Sequence, residues 1–216
     1  MANWLAQQPH VVVRDESRRL LAAHAALDTA DRFAALSAER ETVHLALRRL
    51  VLEPRAGERW PGARLLVEKE PLEPIALPGG RYQDFLRHAL ELFPTIRVVA
   101  MVRHPVATVS SMRARRWGYS LTSGELRDVT VDEAIDTWRE NAALVHALRD
   151  DPRVLACRYE HLVADPAQVT ATIAAHLALP APSAFVPIRA RPLVLGDDEV
   201  ARVLARTARE RGWFGM

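Results

Sequence analysis

The chain has 216 residues, 49% hydrophobic and 26% charged, with a formal net charge of +2. That composition supplies a sizeable core for one domain and excludes intrinsic disorder. No run reaches the length of a membrane span, residues 1–9 lack the basic-then-apolar order of a signal peptide, and the charge is too small to argue for nucleic acid.

In chain order, residues 11–13 predict a short strand. Residues 31–52 carry helical periodicity through Phe33, Leu36, Val43, Leu47 and Leu50, and Pro54 stops it. A polar loop over 53–62 leads to a strand over 64–67 and a proline-rich loop as far as Gly80. Residues 82–93 predict a helix with Phe85, Leu86, Ala89 and Leu90 on one face, ended by Pro94. Residues 98–102 form an apolar, β-branched run of the kind found in strands covered on both faces. Pro105 then stands at a first helical position, where its missing N–H costs nothing, and that helix runs to about Arg116.

Residues 118–129 read as a loop long enough to cover a site. Thr130-Val131-Asp132-Glu133 is a capping box opening a helix with Ile135, Trp138, Leu144 and Leu148 facing inward. Residues 154–157 predict another strand, and Asp165-Pro166 an N-cap and first helical residue. The last helix spans 198–211 and is closed by Gly212. Strands alternating with helices predict an α/β fold with a parallel sheet and right-handed crossovers. Cys157 is the lone cysteine, read as a buried core thiol, and a cytoplasmic protein is the simplest reading. The eight histidines lack metal spacing, so no metal is predicted.

Arg103 falls at the carboxyl end of the strand over 98–102, beside a helix start. Ligands of open parallel sheets bind at that end, and an anion there meets both a guanidinium and a helix dipole. An ordinary strand-to-helix turn with a solvent-facing arginine has the same pattern.

Arg103-His104-Pro105, with Ser111 eight residues after the arginine, resembles the 3′-phosphate motif of sulfotransferases. These enzymes use 3′-phosphoadenosine 5′-phosphosulfate (PAPS) as sulfate donor. Three more blocks resemble the same family in the same order: Gln8-Pro9-His10-Val11 to Glu16-Ser17-Arg18; Leu66-Val67-Glu68-Lys69-Glu70-Pro71; and Arg158-Tyr159-Glu160-His161-Leu162-Val163-Ala164-Asp165-Pro166, leading to Leu177-Ala178-Leu179-Pro180. The resemblance spans nearly the whole chain and is nearest to tyrosylprotein-type and related bacterial sulfotransferases. It implies a P-loop-NTPase-like parallel sheet flanked by helices. It also implies sulfuryl transfer from PAPS to a hydroxyl-bearing acceptor, without a metal.

The resemblance further implies roles. Arg103 would hold the 3′-phosphate with Ser111 as partner, and Tyr159 would contact the adenine. Lys69, the single lysine among 29 basic residues, would neutralise charge on the departing oxygen. Glu16 matches the base of the tyrosylprotein enzymes, whereas Glu68 matches that of heparan-type enzymes, and both cannot hold the role. Each residue also has a plain structural reading. Ser111 is a small helix residue packed on the sheet, Tyr159 a core-rim tyrosine, Glu16 part of a solvated charged turn, and Lys69 a surface lysine paired with Glu68 or Glu70. Arg113, Arg115 and Arg116 read as a helix-end cluster suited to the macrodipole rather than a nucleic-acid surface.

One departure stands beside these matches. Family members open with a loop of the form Gly-x-x-Arg-Ser-Gly-Thr-Thr that cradles the 5′-phosphosulfate, and none of the nine glycines here heads such a loop. The expectation is a single domain over 1–216 that is N-terminally incomplete and lacks the loop-bearing first strand. It would be either a mis-started copy of an enzyme or a shortened relative that no longer transfers sulfate. The second class of reading is a non-catalytic protein that binds adenosine 3′,5′-bisphosphate or a protein partner. Exposed strand edges would favour self-association. A nucleoside-phosphate kinase is disfavoured because no P-loop lysine motif is present.

Overall fold

The computed structural model describes residues 11–15, 23, 40–52, 65–69, 85–116, 118–119, 126–181 and 192–216. Contacts divide the chain into two compact units, one of residues 1–72 and 79–94, the other of residues 73–78 and 95–216.

In the first unit, β1 (Val11–Asp15) and β2 (Leu65–Lys69) form a parallel pair in the register Val11 to Leu65 through Asp15 to Lys69. The second strand runs two residues past its predicted end, so Glu68 and Lys69 lie on the strand. Helix α1 (Arg40–Leu52) buries Leu47 and Val51. Helix α2 (Phe85–Leu92) buries Phe85, Leu86, Ala89, Leu90 and Leu92, which is the face its periodicity predicts. The helices are also joined by polar contacts. Arg48 Nε donates to the Leu92 carbonyl, one of the acceptors that every helix end leaves open, and His44 lies 3.5 Å from Glu91. His88 is buried, with Arg87 3.0 Å from its Nε2.

In the second unit, β3 (Val98–Val102) leads through α3 (Pro105–Ala114), a hairpin and α4 (Val131–Ala147) to β6 (Val154–Arg158). The hairpin is β4 (Gly118–Tyr119) antiparallel to β5 (Leu126–Arg127), within the segment predicted as loop. Strands β3 and β6 are parallel, from Val98 beside Val154 to Val102 beside Arg158. Val98 to Met101 are half-buried and only Val102 is enclosed, because β6 is the one strand beside β3 among the described residues. Helices α5 (Tyr159–Ala164), α6 (Pro166–Leu177), α7 (Asp197–Arg206) and α8 (Ala208–Trp213) follow.

Helix α4 organises this unit by burying two faces. One joins Ala134 and Ile135 to Val106, Val109 and Met112 of α3 and Val203 of α7. The other sets Trp138, Ala142 and Val145 against Val102 of β3, with Phe214 and Met216 alongside. The capping box starts α4 as predicted: Glu133 N–H donates to Thr130 Oγ1 at 3.2 Å, and Thr130 N–H to Glu133 Oε2 at 2.9 Å. Arg127 of the hairpin grips the Glu133 carboxylate and holds it down to about 2. Arg206 bridges Asp132 and Asp136, each at 2.6 Å, tying α7 to α4.

The predicted last helix is two helices, parted at Thr207. Its N–H and Oγ1 both turn back to the Val203 carbonyl, at 3.1 and 2.7 Å, an arrangement that bends helices. Gly212 lies inside α8, and the closing glycine is Gly215. At φ +63° it lets Met216 N–H reach the Arg211 carbonyl at 3.1 Å, while its own N–H reaches Gly212. Asp165 caps α6 as predicted, through Gln168 N–H at 2.9 Å. That helix ends on Ala178 at φ +54°, with Leu179 N–H on the Ala174 carbonyl at 2.8 Å.

Two stability changes follow. Ile135→Ala opens a cavity where Ile135 is 0% exposed and destabilises by about 2–5 kcal/mol in denaturant unfolding. Ala178→Gly relieves the left-handed conformation and stabilises by about 0.5–1 kcal/mol in the same measurement, where the strain removed exceeds the added freedom of the unfolded chain.

Candidate functional site

The parallel register ends β3 and β6 at one level, and the next residues, Arg103 and Tyr159, meet there. The Arg103 guanidinium lies over the Tyr159 ring, 4.8 Å from its centroid, a cation–π arrangement. No carboxylate among the described residues pairs with Arg103. Most other arginines of this unit are engaged: Arg113 with Glu199 at 2.8 Å, Arg116 with Asp128 at 2.6 Å, and Arg139 with Glu210 at 3.0 Å. The predicted helix-end cluster is thus largely a set of ion pairs.

Helix α3 starts beside Arg103, with Pro105 at its first position. His104 is the N-cap at φ −49° and ψ 131°, and its side chain makes no capping bond. The first-turn N–H groups therefore have no side-chain acceptor from the cap residue. Two serines of α3 have different fates. Ser110 is buried, and its Oγ accepts the Val194 N–H at 2.8 Å. Ser111 is half-buried, and its hydroxyl makes no hydrogen bond among the described residues. Position 111, singled out by the sequence, is therefore the one left with an available hydroxyl.

The Arg103–His104 peptide is held by side chains that were not singled out as site residues, chiefly Trp138 and Glu160, with Thr108 Oγ1 a longer 3.4 Å from the Arg103 carbonyl. Trp138 Nε1 donates to the Arg103 carbonyl at 2.8 Å, and His104 N–H donates to Glu160 Oε1 at 2.9 Å. Trp138 carried a sequence signal only as an inward-facing residue of α4, and Glu160 only as a member of the block around Tyr159. Burial holds the His104 imidazole below its ordinary value; Glu160 opposes the shift, and Arg211 and Arg158 reinforce it. Arg158 donates to the Gly215 carbonyl at 2.9 Å and Arg211 to the Leu204 carbonyl at 3.2 Å, which fixes both guanidiniums near the strand end.

A family model described as the sulfotransferase family matches residues 3–183 of this chain. The chain belongs to the sulfotransferase family. Among solved structures it is similar to a sulfotransferase from Alicyclobacillus acidocaldarius, at 17% identity and a TM-score of 0.59. That likeness covers 97% of this chain and 86% of the other. It is also similar to the sulfotransferase domain from the curacin biosynthetic pathway, at 18% identity and a TM-score of 0.42, over 85% of this chain and 62% of that one. No curated protein matches. The fold is thus the sulfotransferase α/β fold, with parallel strands flanked by helices.

The structure brings Arg103, Ser111 and Tyr159 into one unit, at and after the end of β3 and β6. Glu68 and Lys69 are the last residues of β2, in register with Arg14 and Asp15 of β1. Glu16 lies outside the described residues. Among the described residues no cluster of His, Cys, Asp and Glu fit to hold a metal occurs, and no helix is long and apolar enough to cross a membrane. Cys157 is a free, buried thiol whose burial pushes it up from its ordinary value.

The His104 environment gives a direct test. In NMR titration its ring protons shift with a midpoint below the ordinary 6.5. Glu160→Gln lowers that midpoint further, because the carboxylate is the group favouring the imidazolium. A wild-type midpoint above 6.5 contradicts this placement of the ring.

Proposed function

We propose that this chain binds the adenosine 3′,5′-bisphosphate portion of PAPS and serves sulfuryl transfer to a hydroxyl acceptor. The observation that carries this reading is the Arg103 guanidinium, backed by Tyr159 and free of any carboxylate among the described residues, beside the uncapped start of α3. A 3′-phosphate there receives a charge-assisted contact from Arg103, together with first-turn N–H groups. The Ser111 hydroxyl completes the hold from the side of the helix. Tyr159 supports Arg103 with its ring, and we assign it the adenine contact.

In the transfer itself, the bond from sulfur to the donor's bridging oxygen breaks as the acceptor oxygen bonds to sulfur, and the acceptor's proton passes to a carboxylate. Positioning and charge stabilisation supply most of such catalysis. We assign Lys69 to the departing oxygen and the proton to Glu16 or Glu68. Glu16→Gln and Glu68→Gln separate the two, since only loss of the true base lowers the transfer rate by about 10²–10⁴-fold. The 5′-phosphosulfate needs a cradle of its own, and the sequence contains no Gly-x-x-Arg-Ser-Gly-Thr-Thr loop. The second reading is a protein that binds the bisphosphate without transferring sulfate. The free buried thiol fits a reducing, cytoplasmic setting under either reading.

Calorimetric titration with adenosine 3′,5′-bisphosphate and adenosine 5′-monophosphate tests the site. The bisphosphate binds more tightly, and Arg103→Ala weakens it by about tenfold or more while changing the monophosphate little. Equal affinity for the two nucleotides by folded wild-type protein rules the site out.

A further inference from the structure

We propose that Trp138 and Glu160 are positioning residues that clamp one peptide plane and thereby aim Arg103 and the start of α3 at the nucleotide 3′-phosphate. The proposal rests on the nucleotide reading above. The carbonyl of Arg103 and the N–H of His104 belong to a single planar amide, so the plane turns only as a unit. Trp138 Nε1 holds its oxygen at 2.8 Å, and Glu160 Oε1 holds its N–H at 2.9 Å. Bonds on both edges leave the plane no rotation that keeps either partner satisfied.

Each clamp is itself immobilised. Trp138 is 4% exposed and packed with Val102, Ala142 and Val145, so its indole has no alternative position. Glu160 lies in the first turn of α5, directly after the end of β6, and its second oxygen is buried without a partner. Its bond to His104 N–H is charge-assisted, and removing it strands a buried donor.

The arrangement also answers a problem at the helix start. A typical N-cap side chain orders the first turn by folding over its N–H groups, which fills the position an anion would take. His104 makes no such bond. The clamp orders the cap from its backbone instead, and Thr108 Oγ1 adds a bond to the His104 carbonyl at 3.2 Å. Order at the N-cap is thereby kept without a cap side chain laid over the first-turn donors.

The test is the ratio of affinities for adenosine 3′,5′-bisphosphate and adenosine 5′-monophosphate, measured by calorimetry on the full chain. The ratio is chosen because partial unfolding lowers both apparent affinities by one factor and leaves it unchanged. Glu160→Ala and Trp138→Phe each reduce the ratio by about three- to tenfold, as expected for one hydrogen bond lost at the phosphate anchor. Glu160→Gln keeps an acceptor oxygen and restores the wild-type ratio. Trp138→Phe keeps the ring and drops only the N–H, so it carries the test if Glu160→Ala does not fold. Wild-type ratios in the folded clamp variants, with the preference lost in Arg103→Ala, overturn the clamp and leave the nucleotide site standing. A Glu160→Gln protein as impaired as Glu160→Ala also overturns it, since charge rather than an acceptor would then be required. A wild-type protein without preference removes the nucleotide reading and the clamp together.

Discussion

In a parallel pair both strands end on the same side, and whatever follows them emerges together. Val102 lies beside Arg158, so Arg103 and Tyr159 leave the pair at one level and α3 and α5 begin next to each other. The cation over the ring, the N–H of His104 on Glu160 and the approach of Trp138 all depend on that register. A slip of one residue would move Arg103 away from Tyr159 and send alternate side chains to the opposite face. The core of α4 guards the register, since its Trp138 face packs against Val102 while its Ile135 face holds α3 and α7.

Charge in this unit is sorted by what it can reach. Arg113, Arg116, Arg127, Arg139 and Arg206 meet carboxylates, which uses their charge to dock helices and the hairpin on one another. Such pairs are largely exposed, and each contributes little alone; their value lies in setting orientation. Arg158 and Arg211 spend their donors on backbone carbonyls and keep their field, which reaches His104. Arg103 differs from both groups, for it rests on an aromatic face and has no carboxylate partner among the described residues. A net charge of +2 conceals this division, so the composition alone gives no warning that Arg103 lacks a carboxylate partner among the described residues.

What could be read along the chain was whatever rests on local rules. The strand over 98–102, Pro105 as first helical residue, the Thr130–Glu133 box and the Asp165 cap each involve neighbours within a turn, and each is found in place, although the strand is half-buried rather than covered on both faces. Helix ends were less legible. The last helix is interrupted at Thr207, and the closing role passes from Gly212 to Gly215, because periodicity does not say which glycine adopts a positive φ. The β4–β5 hairpin escaped notice since two-residue strands carry no period. Glu16 lies outside the described residues, so its rivalry with Glu68 rests on resemblance.

At the proposed site, the sequence by itself determined which groups stand where along the chain: Arg103 ahead of Pro105, Ser111 along the helix, and Tyr159 after a strand. It also determined the family, through motifs in order. Only the tertiary structure decided that Ser110 is occupied by Val194 while Ser111 is not, and that Tyr159 backs Arg103. It alone joined Trp138 and Glu160 to one peptide plane across separations of 35 and 56 residues. The physical reason is that local patterning fixes which way a side chain leaves its own helix or strand. What it meets there depends on the packing of α4 and the register of β6, which no nearby residue encodes.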